Sequence, residues 1–283
     1  MATKRFFSKL SIELPGVVLH APVMQASLGR CDSPALAAAV SRAGGLGTFS
    51  VHNPAPDWLR RRLEQIKHRT PRPVLLAFTA QWEGDAILET ALAHDFRLFQ
   101  VFWWNGPRLA PRIRRGGGTI YWQVGTIAEA REAVGQGASV LVAQGTDAGG
   151  QVRSAHPVAE LIAELRTVFG AGVTLIAGGG FADAHDTQAA RAAGADAALF
   201  GTRFLLSEEA NASPQDKARL LRATAADLCL DTQLVGDWPC APRRRLHTAE
   251  NHDRPGLYAG AGVARIRVLR SAADIVRRLT PVR

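Results

Sequence analysis

Short apolar runs alternate with longer amphipathic segments over most of this chain. The runs consist mainly of aliphatic and aromatic residues, and most of them end in glycine or polar residues. Strands of a parallel sheet are covered on both faces and are therefore apolar throughout, so the runs predict buried parallel strands. The eight predicted strands lie within Val17–Val23, Leu46–Phe49, Val74–Phe78, Leu98–Trp103, Thr119–Val124, Val140–Ala143, Val173–Ala177 and Ala197–Phe200.

The segments between these runs have the features of helices. Leu59, Leu63 and Ile66 fall on one helical face, and Ser33 followed by Pro34 is a typical helix start. Strict alternation of strands and helices selects a parallel sheet, and eight units favour a closed (β/α)8 barrel, an α/β fold, over an open doubly wound sheet. The predicted helices are Ser33–Ala43, Asp57–His68, Asp85–His94, Pro107–Arg115, Ile127–Gln136, Pro157–Phe169 and Ala184–Ala193.

The alternation continues without a linker to about residue 205. We assign residues 1–205 to the barrel and residues 206–283 to a small C-terminal cap with outer helices, within one structural domain. In this tail the pattern predicts a helix near Pro214–Ala226, an irregular segment over Gly236–Pro255 and a last helix within Ala261–Arg278.

Glycines cluster where three of the later strands end. The segments read VLVAQGTDAGGQ, VTLIAGGGFAD and AALFGTRF. Glycine lets the backbone approach a ligand closely, and exposed N–H groups at strand-to-helix turns bind phosphate. The last two clusters correspond to the loops after strands seven and eight, where (β/α)8 barrels hold phosphate groups. Ordinary turn chemistry also uses glycine, but three clusters at barrel spacing favour a phosphate-bearing cofactor, and the absence of a GxGxxG fingerprint argues against a dinucleotide.

Composition and charge narrow the function classes. The chain of 283 residues has a formal net charge of +9 and a pI near 10.4, but its basic residues are scattered, so we expect no nucleic-acid partner. No apolar run is long enough for a membrane span, and the N-terminus does not have the features of a signal peptide. Three widely spaced cysteines form neither a disulfide framework nor a metal-ligand pattern, so a reducing cytoplasm is the simplest location.

Several segments resemble the nitronate monooxygenase family, formerly called 2-nitropropane dioxygenases. They are APVMQASLGRCDSPALAAAVSRAGGLGTFS, AQGTDAGGQ, AGGGFAD, LFGTRFLLSEEA and DWPCAPRRRL, in the family's order. The resemblance implies FMN bound in a (β/α)8 barrel. Carried over by position, it implies these cofactor contacts: Ala21, Pro22, Val23 and Met24 in the first loop, Ala77 at the end of strand three, Gln123 at the end of strand five, Gln144, Gly149 and Gly150 after strand six, Gly178, Gly179 and Gly180 as one phosphate clamp, and Leu199, Phe200, Gly201 and Thr202 as the other. At the position of Ala77 the family often has asparagine, so this is one departure from its pattern.

The chain departs from the family pattern at the expected catalytic base. The position that is commonly histidine is Gln151, which cannot accept a proton at neutral pH but can hydrogen-bond a carbonyl or nitro oxygen. The nearest histidine, His156, is a candidate substitute base or the start of a helix. Trp103 and Trp104 end the fourth strand and are candidates for stacking on a planar substrate, or for core packing.

The resemblance implies a flavin-dependent oxidoreductase acting on a small molecule, with nitronate oxidation as the family's default reaction. The missing histidine keeps two alternatives open. One is an NAD(P)H-dependent quinone or enoyl reductase, and the other is a biosynthetic flavoprotein acting on an aromatic or carrier-bound intermediate. The expected redox partner is O2 or NAD(P)H, a homodimer is possible, and neither a metal nor a membrane is expected.

Overall fold

The computed structural model describes residues 11–52, 55–79, 85–232, 241–247 and 257–281. Most of the strands follow the predicted runs closely. Within the described residues the strands are β1 (Ile12–Leu14), β2 (Val17–Leu19), β3 (Val23–Gln25), β4 (Gly47–Val51), β5 (Val74–Phe78), β6 (Leu98–Val101), β7 (Thr119–Val124), β8 (Val140–Gln144), β9 (Gly150–Gln151), β10 (Thr174–Gly178), β11 (Ala197–Phe200), β12 (Leu228–Asp231) and β13 (Arg243–Leu246).

Helices cover the outside of the sheet. The described ones are α1 (Pro34–Arg42), α2 (Pro56–Arg69), α3 (Asp85–Ala93), α4 (Gly106–Arg115), α5 (Ile127–Gly135), α6 (Val158–Phe169), α7 (Ala184–Ala192), α8 (Thr202–Leu205), α9 (Pro214–Arg222) and α10 (Ala272–Leu279). None of these helices combines the length and the apolar character that crossing a membrane requires.

Eight parallel strands form the predicted barrel. Their order is β3-β11-β10-β8-β7-β6-β5-β4. The two ends of this order meet through a parallel bridge between Met24 and Leu46, where the Leu46 N–H donates to the Val23 carbonyl at 2.9 Å. The (β/α)8 prediction is therefore confirmed.

Alternate residues of each barrel strand face inward and fill its amino-terminal half. Leu46, Leu75, Leu98 and Tyr121 belong to this interior cluster and are fully or almost fully buried. The hairpin of β1 and β2 packs against the cluster, and the Tyr121 hydroxyl donates to the backbone carbonyl of Pro15 at 3.1 Å. Because large side chains fill the amino end, a ligand must enter from the carboxyl end.

The hairpin also corrects the first predicted strand. Val17–Val23 was expected as a single run, but Val17–Leu19 pairs with β1 and the barrel strand begins only at Val23. Between them His20 and Ala21 both donate their N–H groups to Gly44. Pro22 has no N–H to donate.

The C-terminal segment supplies part of the barrel's outer layer. Helix α10 packs against α1 and α7, and its Ile275 and Val276 are buried in the layer between strands and helices. The Thr187 hydroxyl donates to the Leu279 carbonyl at 2.8 Å. Of the segment predicted as irregular, Arg243–Leu246 forms β13, while residues 236–240 and 248–255 lie outside the described residues.

Candidate active site

Inward-facing polar residues replace the apolar ones near the carboxyl ends of β6, β7 and β8. Gln100, Gln123 and Gln144 are 1%, 9% and 8% exposed. The Gln100 Nε2 donates to the Gln123 Oε1 at 3.3 Å. The Oε1 atoms of Gln100 and Gln144 are buried and accept no hydrogen bond from the described residues. Buried amide oxygens are nearly always paired in proteins, so these two are oriented to accept from a ligand's N–H or O–H groups.

Of this row, Gln123 and Gln144 were predicted and Gln100 was missed. Gln100 is the single polar residue in an otherwise apolar strand, one position before its end. Next to it in the sheet, Ala77 of β5 pairs with Gln100 and is fully buried. The small side chain at Ala77 leaves room beside the glutamine amides.

The glycines after β10 and β11 form a cradle around a third glycine from the tail. A Cβ on Gly260 would lie 3.4 Å from the Gly180 Cα, and the Gly260 N–H donates to the Thr202 hydroxyl at 3.0 Å. The backbone N–H groups of Gly180, Gly201 and Thr202 donate to no acceptor among the described residues. The Thr202 hydroxyl accepts from Gly260 and keeps its own proton for another acceptor.

The cradle has the properties of a phosphate site. Gly180 has a φ of 70°, in the left-handed region that favours glycine. A Cβ at Gly201 would meet only the Ala26 Cβ, at 3.6 Å, so the backbone here borders open space. Free N–H groups and a hydroxyl suit a phosphate monoester. The described residues thus fit the phosphate of the expected cofactor, and Gly260 is a part of the site that the sequence did not indicate.

Two further predicted glycines support this cradle from the loop after β8. A Cβ on Gly149 would lie 2.7 Å from the backbone of Ala259 and Gly260. The neighbouring Gly150 has a φ of 78°. The Ala261 N–H donates to the Asp147 carbonyl at 2.9 Å. These contacts fix the tail against the loop, so Gly149 is required for close backbone packing and Gly150 for its positive φ.

Aromatic residues and one arginine form a wall beyond β6. Trp104 stacks on Phe102 with ring centres 4.7 Å apart, and Trp103 meets Trp104 edge-on at 4.5 Å. The Arg153 guanidinium lies 5.0 Å from the centre of a Trp103 ring. Its Nε donates to the Glu129 carboxylate at 2.7 Å. Strand β6 ends at Val101, before the predicted Trp103, so both tryptophans belong to the loop rather than to the strand.

Gln151 and His156 occupy different environments. Gln151 pairs with Arg243 in the small sheet β12-β13-β9, and its Oε1 is buried without a partner among the described residues. His156 instead lies on the surface, where its Nδ1 is 3.7 Å from the Glu160 carboxylate in the first turn of α6 and its side chain is 55% exposed. This location fits a helix start and not a substitute base.

The residues predicted to form the first loop are buried in the barrel wall and interior. Met24 is fully buried in the interior cluster, and Ala21 and Val23 belong to the layer between strands and helices. Because β3 begins late, the loop at its carboxyl end starts at Ala26. At the end of β11, Leu199 faces the barrel interior. Its neighbour Phe200 packs outward against Phe181, with ring centres 5.8 Å apart.

Two acidic residues at the start of α7 form a helix cap. Asp183 and Asp186 make a reciprocal capping box, in which the Asp183 side chain accepts from the His185 N–H at 3.0 Å. Arg265 bridges both carboxylates, at 2.8 and 2.9 Å. Their hydrogen-bonding capacity serves the helix and not a ligand.

Comparison with known proteins identifies relatives of the whole fold. A family model described as nitronate monooxygenase matches residues 13–94 and 107–241. A nitronate monooxygenase of Pseudomonas aeruginosa is 26% identical over 98% of this chain and 98% of its own length. A (3aS,4S,5R,7aS)-5-hydroxy-7a-methyl-1-oxo-octahydro-1H-indene-4-carboxyl-CoA dehydrogenase of Mycobacterium tuberculosis is 28% identical over 80% of this chain, which spans only 63% of that relative's length.

Solved structures share the barrel. FabK from Thermotoga maritima superposes with a TM-score of 0.83 at 22% identity, over 92% of each chain. A nitroalkane oxidase from Streptomyces ansochromogenes superposes with a TM-score of 0.79 at 23% identity, over 92% of this chain and 95% of that one. At these identities the likeness concerns the fold.

Proposed function

Because this chain belongs to the nitronate monooxygenase family, we propose that it is an FMN-dependent oxidoreductase acting on a small substrate at the carboxyl end of its barrel. The observation that carries the proposal is a pairing of two features at one barrel end. A cradle of free backbone N–H groups at Gly180 and Gly201 lies on one side, and buried acceptor oxygens of Gln100 and Gln144 lie on the strands beyond it.

The proposed cofactor contacts form two groups, one for the phosphate and one for the ring system. Gly179, Gly180, Gly201 and Thr202 would hold the phosphate through N–H groups and one hydroxyl. The three glutamine amides would meet the polar edge of the ring system. When bound, FMN would take up the electron pair that leaves the substrate and pass it to O2, or would carry electrons from NAD(P)H to a substrate.

The protein's own contribution on the substrate side is binding and orientation. Trp103 offers an aromatic face, and Arg153, held by Glu129, offers donors to a nitro or carboxyl oxygen. Gln151 has an amide that hydrogen-bonds such oxygens but cannot take a proton. The wall therefore selects a planar, oxygen-bearing substrate, and any proton must be taken by another group.

A second candidate is a reductase or dehydrogenase of a carbonyl-activated substrate, such as a thioester or quinone. The observation that favours it is Gln151, an amide in place of the histidine base expected for nitronates. The similarity to a carboxyl-CoA dehydrogenase also supports this second candidate.

Spectra and anaerobic reduction test these proposals together. The purified protein should be yellow, and chromatography of the released chromophore should give FMN. Bleaching by a nitroalkane or nitronate supports the first candidate, and bleaching by NAD(P)H or an acyl-CoA supports the second. A colourless protein that cannot be reconstituted with FMN would refute both.

A further inference from the structure

A buried carboxyl group lies behind the loop that follows β3. Asp32 is 5% exposed. Its Oδ1 accepts from the Gln25 Nε2 at 2.7 Å. Its Oδ2 accepts from the N–H groups of Leu28 and Ser50 at 2.9 and 3.0 Å, and also contacts the Ser50 hydroxyl. No described ion pair involves this carboxyl, so hydrogen bonds alone support its charge.

Two hydroxyl groups connect this carboxyl to the barrel mouth. The Ser27 Oγ lies 2.6 Å from the Ser50 Oγ, and the Ser50 Oγ also accepts from the Gly29 N–H at 3.0 Å. An ionised carboxylate only accepts, so Ser50 donates its single proton to Asp32. Ser27 must then donate to Ser50. The hydrogen bonds thus run in one direction, from Ser27 to Asp32, when the carboxyl is ionised.

The outer end of this chain of groups lies beside the proposed phosphate cradle. Ser27 follows Ala26, whose Cβ would be 3.6 Å from a Cβ at Gly201 in the phosphate cradle. Ser50 pairs with Ala77, which in turn pairs with Gln100. Ser27 is only half-buried, whereas Asp32 and Ser50 are buried. Ser27 is therefore the most exposed of the three residues.

The electrostatic surroundings poise the carboxyl between its two protonation states. Burial raises the pKa of Asp32 to about 7, although its hydrogen bonds with Ser50, Leu28 and Gln25 oppose the rise. Nearby, their own burial raises the pKa of Cys31 and lowers that of His52. The charged and titratable groups on the surrounding elements are Arg30 and Cys31 on the same loop, His52 after β4, Arg62 on α2, and Asp216 and Lys217 on α9.

We propose that Ser27, Ser50 and Asp32 form the proton-transfer path of this enzyme, and that its substrate is a carbon acid with a C–H bond beside a nitro or carbonyl group. The inference rests on the proposed function and supplies the base that Gln151 cannot be. The substrate proton passes to the Ser27 Oγ as the Ser27 proton passes to the Ser50 Oγ and the Ser50 proton to the Asp32 Oδ2. The electron pair of the C–H bond stays on the substrate, which becomes a nitronate or an enolate.

Two probes that differ by one proton test the path. Nitroethane must lose a proton before oxidation, whereas ethyl nitronate has already lost it. Asp32→Asn and Ser27→Ala should slow flavin reduction by nitroethane by about 10²–10⁴-fold, the usual contribution of a positioned base, and leave reduction by ethyl nitronate unchanged. Asp32→Glu should recover part of the loss. The rate with nitroethane should rise with pH through about 7 in the wild type, and this rise should disappear in Asp32→Asn.

Matched controls separate this role from a structural one. Thr79→Val removes a hydroxyl that returns to the Val51 carbonyl at 3.4 Å, and it should behave as the wild type with both probes. Among the described residues the Ser27 side chain forms one hydrogen bond, with Ser50, so Ser27→Ala should fold even if Asp32→Asn does not. Carbon-13 NMR of labelled aspartate in the flavin-free protein should show a carboxyl that titrates near neutral pH.

The outcomes distinguish failure of the proton path from failure of the proposed function. A wild type that carries flavin and oxidises both probes, with variants that lose both activities equally, would overturn the proton path and leave the proposed function standing. Variants that lose neither activity would also overturn the path. A wild type without flavin, or one whose flavin neither probe reduces, would overturn the nitronate function on which the path rests.

Discussion

The buried carboxyl of Asp32 should make the stability of this protein depend on pH in a way that one substitution removes. Unfolding would return its pKa from about 7 to an ordinary value, about 3.9 in model peptides. At about 1.4 kcal/mol for each pKa unit, the gap amounts to about 4 kcal/mol. Because the folded-state pKa is the higher one, the native protein binds this proton more tightly than the unfolded chain.

Because the folded-state pKa is the higher one, the stability of the protein should fall as the pH rises. The stabilising contribution is fully present below about pH 4 and is lost as the pH rises through about 7. The free energy of unfolding of the wild type should therefore fall by up to about 4 kcal/mol over this window relative to Asp32→Asn, in which the group does not titrate. Asparagine changes the hydrogen bonds with Gln25 and Ser50 as well, but that cost is the same at every pH.

Urea unfolding at a series of pH values measures the effect. The difference in unfolding free energy between wild type and Asp32→Asn should change steadily between pH 4 and 8, while each protein keeps one denaturant slope throughout. The carboxylate of Asp274, whose pKa is lowered to about 2 by hydrogen bonds with Arg277 and Arg278, titrates below this window and in both proteins. Parallel stability curves for the two proteins would refute the raised pKa and remove the electrostatic support for the proton path.

Three further substitutions have defined outcomes. Gly201→Ala should reduce the flavin content of the purified protein without lowering its melting temperature. The control Gly172→Ala, whose Cβ would lie in open space, should keep both the flavin content and the melting temperature. Equal flavin content in the two variants would contradict the proposed phosphate cradle. Gly180→Ala should lower the free energy of unfolding by about 1–3 kcal/mol, since φ is 70° and the new Cβ would lie 2.8 Å from the Asp147 Cβ; unchanged urea midpoints would contradict this. Gln151→His should raise nitroethane turnover by supplying a base; steady-state rates no higher than wild type would mean that this loop does not face the substrate.

The barrel could be predicted from the sequence because its signals are local. Each apolar run and the glycines after it lie within a dozen residues, and the strands form at those places. The errors occur where a distant contact decides the outcome. Strand β6 stops at Val101 because the Asn105 side chain accepts from the Phe102 N–H at 2.9 Å and donates to the Phe78 carbonyl at 2.7 Å. No local pattern in Leu98–Trp103 encodes that bond.

The candidate site, like the fold, could be predicted from the sequence only where its signals are local. Gly180 is recognisable because its positive φ leaves few other choices of residue, and Gly201 because it directly follows an apolar strand. Gly260 completes the same cradle from a loop 58 residues beyond Thr202, its hydrogen-bond partner, so only the folded chain identifies it. Gln100 has the weakest signal, since a single amide in a strand is equally compatible with a turn or a packed core.

The arrangement of the mouth suggests why the expected histidine is dispensable. In the order of the closed sheet, β3 and β4 lie across the barrel from β7 and β8. Ser27 and Ser50 therefore lie across the mouth from Glu129, in the first turn of α5, and from Arg153, in the loop after β9. The charges of Glu129 and Arg153 offset each other. Removing a proton from a carbon acid leaves an anion, and a base that delivers the proton to a buried carboxyl moves it away from that anion. A histidine at position 151 would instead hold the proton on the loop that carries Arg153.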